Sequence, residues 1–169
     1  MALVVRTVGL DDRTLVVQVA ARMRWTLDEV LGADRTVANY DDAWLMDRVD
    51  AHLDPARLDG AVIVALDDGG SVVGQTIVRP DVHDGCPTGL FSTTWVAPAH
   101  RRAGLAHQLL DRGEAWLAAR GLMHVVTDTS STNTPLLRLF SSRGYTIVVR
   151  SADGAMVRLL GNLSGARGS

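Results

Sequence analysis

The chain has 169 residues, of which 47% are hydrophobic and 21% charged, and its formal net charge is −2. This length suits one domain with a full core and leaves little room for a second. The near-neutral charge argues against coating nucleic acid or an acidic membrane, and no segment reaches the ~18 apolar residues of a membrane span.

We therefore predict one domain at 1–160 with a flexible tail at 161–169, and neither a nucleic-acid nor a membrane partner. The single cysteine, Cys86, cannot form an internal disulfide, so the fold does not depend on an oxidising compartment. A cytoplasmic location follows. The protein is expected to be either a monomer or a homodimer.

The first third of the chain predicts one strand and two helices. A β-branched run predicts a strand at 2–8. Asp11 or Asp12 can cap the helix that follows, in which apolar residues recur at helical spacing. We expect residues 25–39 to be irregular, and a second helix at 40–54 that Pro55 ends.

The middle of the chain predicts three strands. Two β-branched runs, at 61–66 and 71–79, flank an Asp-Asp-Gly-Gly sequence that is typical of a hairpin. Residues 80–89 are rich in Pro, Gly and Asp and are interpreted as a loop. A further strand is predicted at 90–98, where Pro98 ends it.

The last part of the chain alternates helices and strands. We predict helices at 104–120 and 134–144, a strand at 123–129, and a closing hairpin around Ala-Asp-Gly. The predicted order is β-α-α-β-β-β-α-β-α-β-β. This order indicates an α/β protein with a central mixed sheet and helices on both of its faces.

Residues 96–106, "VAPAHRRAGLA", join the strand predicted at 90–98 to the helix predicted at 104–120. This joint combines positive charge with backbone freedom. The first N–H groups of a helix lack partners and attract anions, phosphate above all. Gly104 allows close approach to the backbone, and Arg101 and Arg102 add charged donors. The pattern favours a diphosphate cradle, with a purely structural turn as the alternative.

The same residues resemble the acetyl-CoA motif of the GNAT superfamily of N-acetyltransferases, V-x-P-x-x-(Q/R)-x-x-G-x-(G/A). Its defined positions are filled by Val96, Pro98, Arg101, Gly104 and Ala106. A downstream segment, "NTPLLRLFSSRGY", resembles the second motif of that family. The residues that fit it are Asn133, Gly144 and Tyr145.

The resemblance implies acetyl-CoA as cofactor, with CoA as product, and transfer of the acetyl group to a primary amine of a small molecule or a protein. The amine would attack directly in a ternary complex, between parallel neighbouring strands at 90–96 and 123–129 that diverge near Val96. Backbone donors near that splay would stabilise the oxyanion. The residues implied to bind the cofactor are Trp95, Val96, Arg101, Arg102, Ala103, Gly104, Leu105, Ala106, Asn133 and Phe140.

Phe140 departs from the family pattern, because many members carry at this position a tyrosine that protonates the departing thiolate. Phenylalanine cannot donate a proton. Water or another side chain could take that role, or the thiolate could leave unprotonated. The alternative function is a noncatalytic acyl-CoA-binding or regulatory domain.

Asp128 and Thr94 are the candidate catalytic groups, since each is predicted on a strand beside the splay. Asp128 could equally cap a turn. His52 and His107 are interpreted as surface residues, and no set of residues has metal-ligand spacing. The acceptor is predicted to contact residues 25–40, the loop at 79–90 and the last hairpin. In the first of these, carboxylates and aromatics suit a cationic amine and suit a solvated loop equally well.

Overall fold

The computed structural model describes residues 2–31 and 40–163, with the side chains of all of these except 29–31. Seven strands form one mixed sheet in the order β1-β2-β3-β4-β5-β7-β6. The strands are β1 Val4–Thr7, β2 Ala61–Leu66, β3 Val72–His83, β4 Cys86–Val96, β5 His124–Ser130, β6 Thr146–Arg150 and β7 Met156–Asn162. The predicted succession of elements is confirmed. The sheet runs two residues past the predicted domain end at 160.

Four helices pack on this sheet in the described part of the chain. They are α1 Arg13–Leu31, α2 Asp42–Leu53, α3 Leu105–Ala118 and α4 Thr134–Ser142. A short 3-10 turn, Pro98–His100, lies between β4 and α3. Across these residues no helix combines the length and the apolar character needed to cross a bilayer.

The helices form two layers, one on each face of the sheet, and each layer has its own hydrophobic core. This is the predicted architecture. On one face of the sheet, α1 and α2 bury Val16, Val19 and Leu45 against β2 and β3. On the other face, α3 and α4 bury Leu109 and Phe140 against β3, β4, β5 and β7. Each pair of helices therefore covers the central strands on its own face, while β6 at the edge of the sheet stays exposed along its whole length.

The predicted loop at 80–89 is wrong, because β3 and β4 continue through it as a two-stranded extension. Its turn has two residues, Asp84 and Gly85, both with positive φ (49° and 76°), which suits a tight hairpin. Pro80 and Pro87 are tolerated there because this extension pairs with no further strand. The Asp-Gly dipeptide at 84–85 was the signal for this hairpin in the sequence.

The predicted irregular stretch at 25–39 is also wrong in its first part, because α1 continues through Leu31. Trp25 and Thr26 therefore lie on α1, and this helix fixes the positions of their side chains with respect to β4. Residues 32–39 lie outside the described part of the chain, and so does Asp34, one of the carboxylates predicted to suit a cationic amine.

The fold opens a gap in the sheet between β4 and β5. These strands are parallel neighbours, as predicted, but they pair only over Gly89↔Val125, Leu90↔Val126 and Phe91↔Thr127. The register between β3 and β4 shifts at the same level and leaves Ser92 unpaired. The strands therefore part at Phe91, five residues before the predicted point at Val96, and this lengthens the gap.

Candidate functional site

The segment before α3 presents a continuous run of unpaired backbone donors. The first intrahelical bond runs from the N–H of Gln108 to the carbonyl of Gly104, at 3.1 Å. The six N–H groups of residues 102–107 have no acceptor within the described part of the chain. Together with the positive end of the helix dipole, they form a strong anion site.

The backbone of this segment is held in an unusual conformation. Arg102 has φ 64°, a left-handed value that costs a residue with a Cβ about 1–3 kcal/mol. Gly104, the N-cap of α3, has φ 79°, and a Cβ placed there would meet no atom within 4 Å. Glycine is required at 104 for its conformation, and the space in front of its backbone is open to a ligand.

A cavity of about 800 Å³ begins at this segment and passes through the gap between β4 and β5. On the α3/α4 face it is lined by His107 and by the first turns of α4. On the opposite face it reaches Thr26 of α1 and Trp95. One continuous space thus connects the two faces of the sheet.

The edge of β4 inside the gap carries backbone groups without a strand partner. Ala97 donates to the carbonyl of Val73, at 2.8 Å, so residues 95 and 97 direct their backbone groups toward β3. Alternation along the ladder then directs the N–H groups of Thr94 and Val96 into the gap. The Val96 carbonyl accepts from Nε of Arg101, at 2.9 Å.

Seven of the ten residues predicted to bind the cofactor line this cavity. They are Trp95, Val96, Arg101, Arg102, Gly104, Ala106 and Asn133. Asn133 caps α4 by accepting from the N–H of Leu136, and its amide donates to Thr129. The other three, Ala103, Leu105 and Phe140, are not on the cavity wall. Leu105 is buried beneath Gly74 instead.

For Phe140 the structure differs from the prediction. Its side chain is 0% exposed, and its ring packs edge-on against Phe91 and Tyr145, with centroids 5.8 and 4.9 Å away. The helical phase of α4 turns this residue toward the sheet and away from the cavity. Phe140 is therefore a core residue, and a contact with the cofactor is not what the structure shows.

The two candidate catalytic side chains already have partners. Both oxygens of Asp128 accept from Arg158, at 2.7 and 2.8 Å, across the register of β5 and β7. The Thr94 hydroxyl lies 2.9 Å from that of Thr76, and Thr94 lines the cavity. Asp128 is not on the cavity wall. Each group keeps a free lone pair that could accept a proton, but only Thr94 faces the cavity.

His107 is a cavity residue that the sequence interpretation placed on the surface. Its Nδ1 lies 3.1 Å from Nη1 of Arg143, a guanidinium whose side chain is only 4% exposed. Arg143 also binds Asp111 and Glu114. Burial alone would lower the pKa of Arg143, but these carboxylate hydrogen bonds raise it above its usual value. The sequence did contain a signal that His107 faces the cavity, because this residue lies only three positions after Gly104.

His52, the second histidine interpreted as exposed, is buried (2% exposed). Its Nδ1 lies 2.8 Å from the carbonyl of Arg48, and its Nε2 lies 3.2 Å from Nη1 of Arg79. Burial lowers its pKa to about 4, and the nearby charges of Arg79 and Arg48 act in the same direction. His52 is thus a neutral core histidine far from the cavity residues in the fold.

A family model described as the acetyltransferase (GNAT) family matches residues 25–145. The chain belongs to this family. The matched range contains β2 to β5, the gap and the amides before α3. Within the described residues, no group of three or more His, Cys, Asp or Glu side chains could hold a metal ion.

Solved structures of acetyltransferases share the fold at low identity. An acetyltransferase of the GNAT family from Desulfovibrio desulfuricans is 18% identical, with a TM-score of 0.70 over 96% of this chain and all of the other. The PaiA N-acetyltransferase of Thermoplasma acidophilum, in complex with coenzyme A, is 14% identical, with a TM-score of 0.72 over 96% and 99%. An aminoglycoside 6'-acetyltransferase type Ii is 16% identical, with a TM-score of 0.72 over 96% and 98%.

A curated relative shares a shorter segment. The acetyl transferase GW6a of Oryza sativa subsp. japonica is 43% identical over 51 residues, which are 30% of this chain. The match spans only 12% of the length of that protein.

Proposed function

We propose that this acetyltransferase uses acetyl-CoA and transfers its acetyl group to a primary amine, by direct attack in a ternary complex. The observation that carries the proposal is one cavity that joins the segment of unpaired backbone donors, on one face of the sheet, to an aromatic wall on the other; Arg102, Gly104, Ala106 and His107 of that segment line it. A cofactor and an acceptor can therefore enter from opposite faces and meet at the gap.

The residues present fit the anionic end of such a cofactor. The unpaired amides of residues 102–107 would bind the diphosphate, and Arg102 brings a full charge to the same segment. The backbone N–H groups of Thr94 and Val96 would bind the extended arm along β4, as an added strand does. Arg101 would release the Val96 carbonyl to that arm and turn to the phosphates.

When bound, acetyl-CoA supplies a thioester: the amine nitrogen bonds to its carbonyl carbon, the C–S bond breaks, and CoA leaves as the thiolate. The backbone donors of β4 in the gap would hold the carbonyl oxygen and favour the charge that develops there. Holding both reactants in one cavity supplies much of the rate enhancement. We retain Asp128 and Thr94 as candidates for accepting the amine proton, with water as the third.

The test is the release of free CoA by the purified protein with a panel of primary amines. The panel contains amino acids, polyamines, aminoglycosides and peptides with free N-termini. Cys86 is an exposed free thiol, so a blank without acceptor, or the variant Cys86→Ser, corrects the thiol assay. We expect release with at least one class of amine. Binding of acetyl-CoA in calorimetry without release with any amine would instead favour a noncatalytic acyl-CoA-binding domain.

A further inference from the structure

A guanidinium lies beside two tryptophan rings, next to the Trp95 wall of the cavity. The Cζ atom of Arg22 lies 4.9 Å from the ring centroid of Trp25 and 5.7 Å from that of Trp95. The two rings meet each other edge-on, with centroids 5.7 Å apart. Arg22 and Trp25 lie one turn apart on α1, and Trp95 projects from β4 toward that helix. Stacking on both rings restricts the guanidinium to one place.

This guanidinium has no partner of opposite charge among the described residues. Its Nε is buried without a hydrogen-bond acceptor, and its other nitrogens make no hydrogen bond or ion pair with the described side chains, those of residues 2–28 and 40–163. By contrast, the next arginine on the helix, Arg24, binds Asp42 at 2.6 Å. A guanidinium that is fixed in place and keeps its donors unpaired is suited to bind an incoming anion.

Its position connects this guanidinium to the cavity. Trp95, which stacks on Arg22, is part of the cavity wall, and so is Thr26, one turn along α1 from Arg22. Both lie on the α1 face, opposite the amides of residues 102–107. An anion bound by Arg22 would therefore belong to the acceptor, because the unpaired amides that suit the cofactor phosphates lie across the sheet.

We propose that Arg22 binds a carboxylate of the acceptor, so that the substrate is a primary amine that also carries a carboxylate group. This proposal rests on the proposed function. The planar guanidinium offers two parallel N–H donors to the two carboxylate oxygens. The flanking tryptophans reduce its contact with water and strengthen the pairing. Free amino acids and acidic peptides share this chemistry.

The competing reading is a cationic acceptor bound by Asp28. One carboxylate oxygen of Asp28 is buried and has no hydrogen-bond partner among the described residues. Neither Asp28 nor Arg22 is itself on the cavity wall, but Arg22 contacts the Trp95 ring, which is part of that wall. The structure therefore favours the carboxylate-bearing acceptor, and the polyamine becomes an outcome of the test.

The experiment compares amines that differ only by the carboxylate: lysine with cadaverine, tyrosine with tyramine, and tryptophan with tryptamine. An acidic dipeptide and its amidated form separate peptides from free amino acids. We expect the wild type to prefer the acid by about 10- to 100-fold in kcat/KM, the range of hydrogen bonds to charged groups. Arg22→Gln should remove most of that preference. Arg112→Gln, on an exposed part of α3, is the matched control and should keep it.

A binding measurement keeps the inference independent of turnover. Calorimetry with N-acetyllysine and N-acetylcadaverine, in the presence of CoA, should show about 10-fold tighter binding of the acid to the wild type only. Preference for the carboxylate without any CoA release would contradict the proposed function and support the role of Arg22. CoA release with equal or better use of the decarboxylated amines, or no binding of any acid, would overturn the role of Arg22. Unchanged affinity of Arg22→Gln for CoA confirms that the amides before α3 are intact.

Discussion

Nδ1 of His107 lies 3.1 Å from Nη1 of Arg143. Arginine has only donors, so Nδ1 must be the acceptor, and the proton of a neutral ring lies on Nε2. His107 lines the cavity, which makes this N–H a further donor beside the unpaired amides. Nitrogen-15 NMR should show the Nε2–H tautomer. His107→Ala should weaken CoA binding about 10-fold, the size of a hydrogen bond to a charged group.

Two variants control this prediction. His107→Gln keeps an N–H donor on a side chain of similar length and should recover part of the affinity. His124→Ala, at the exposed start of β5, should bind CoA as the wild type does. Detection of the Nδ1–H tautomer would contradict the geometry and remove the reason for the effect.

Gly104→Glu should abolish CoA binding, because its carboxylate would enter the open space in front of the unpaired amides. Replacing glycine at φ 79° also strains the backbone by about 1–2 kcal/mol. Gly121→Glu is a matched control, since Gly121 has φ 77° and equally open space but lies beyond the far end of α3. Calorimetry should show a loss of at least 100-fold for Gly104→Glu, from the lost bonds and the repulsion. Equal affinities of the two variants would refute the assigned diphosphate position.

Phe140→Ala should destabilise the fold by about 3–5 kcal/mol, as expected for deleting a fully buried aromatic ring. Because Phe140 is not on the cavity wall, CoA affinity of the folded fraction should change by less than about 3-fold, below the loss of one hydrogen bond to a charged group. Urea unfolding and calorimetry separate the two effects. A stable Phe140→Ala variant that binds CoA weakly would contradict this prediction and indicate that Phe140 contacts CoA.

Asp128→Asn should lower kcat/KM by no more than about 10-fold, because Arg158 holds Asp128 on β5 away from the cavity wall, whereas a general base contributes 10²–10⁴-fold. Arg158→Gln frees the carboxylate and is the paired variant. If Asp128 is instead the base, Asp128→Asn should lose more than about 100-fold while Arg158→Gln retains activity. Steady-state kinetics on the acceptor identified by CoA release distinguish these results.

His52 should make the protein less stable in mild acid. Burial lowers its pKa to about 4 in the folded state, against 6.5 ordinarily, so between these pH values the unfolded chain binds a proton that the folded chain does not. The free energy of unfolding should therefore fall as pH drops from 6.5 to 4, by on the order of 3 kcal/mol in total. Below pH 4 this contribution stays lost.

Urea unfolding at pH 7 and pH 5 measures this change. His52→Asn is expected to be less stable at both pH values but to lose most of the difference between them. His124→Asn, at an exposed site, should keep the difference. An unchanged pH dependence in His52→Asn would mean that another group is responsible.

The local parts of the site were predictable because each follows from a short stretch of chain. The strand-to-helix joint at 96–106 places unpaired amides at a helix N-terminus, and Gly104 meets a backbone requirement that any fold would impose. Asn133 is likewise a local helix cap, because its side chain accepts a hydrogen bond from the N–H of Leu136, three residues later. The order of strands and helices followed from hydrophobic periodicity, which needs no knowledge of partners.

The tertiary structure alone decided which side chains face the cavity and which have partners. Phe140 and His107 both lie in or beside the two motifs of the sequence, yet helix phase buries one and exposes the other to the cavity. Asp128 meets Arg158 and Arg22 meets Trp95 across sequence separations of 30 and 73 residues, which no local pattern encodes. The sequence determined the segment of unpaired amides before α3, because helix ends and turns are local. The acceptor end depends on how α1 packs across the gap in the sheet, because contacts between distant segments exist only once the cores have formed.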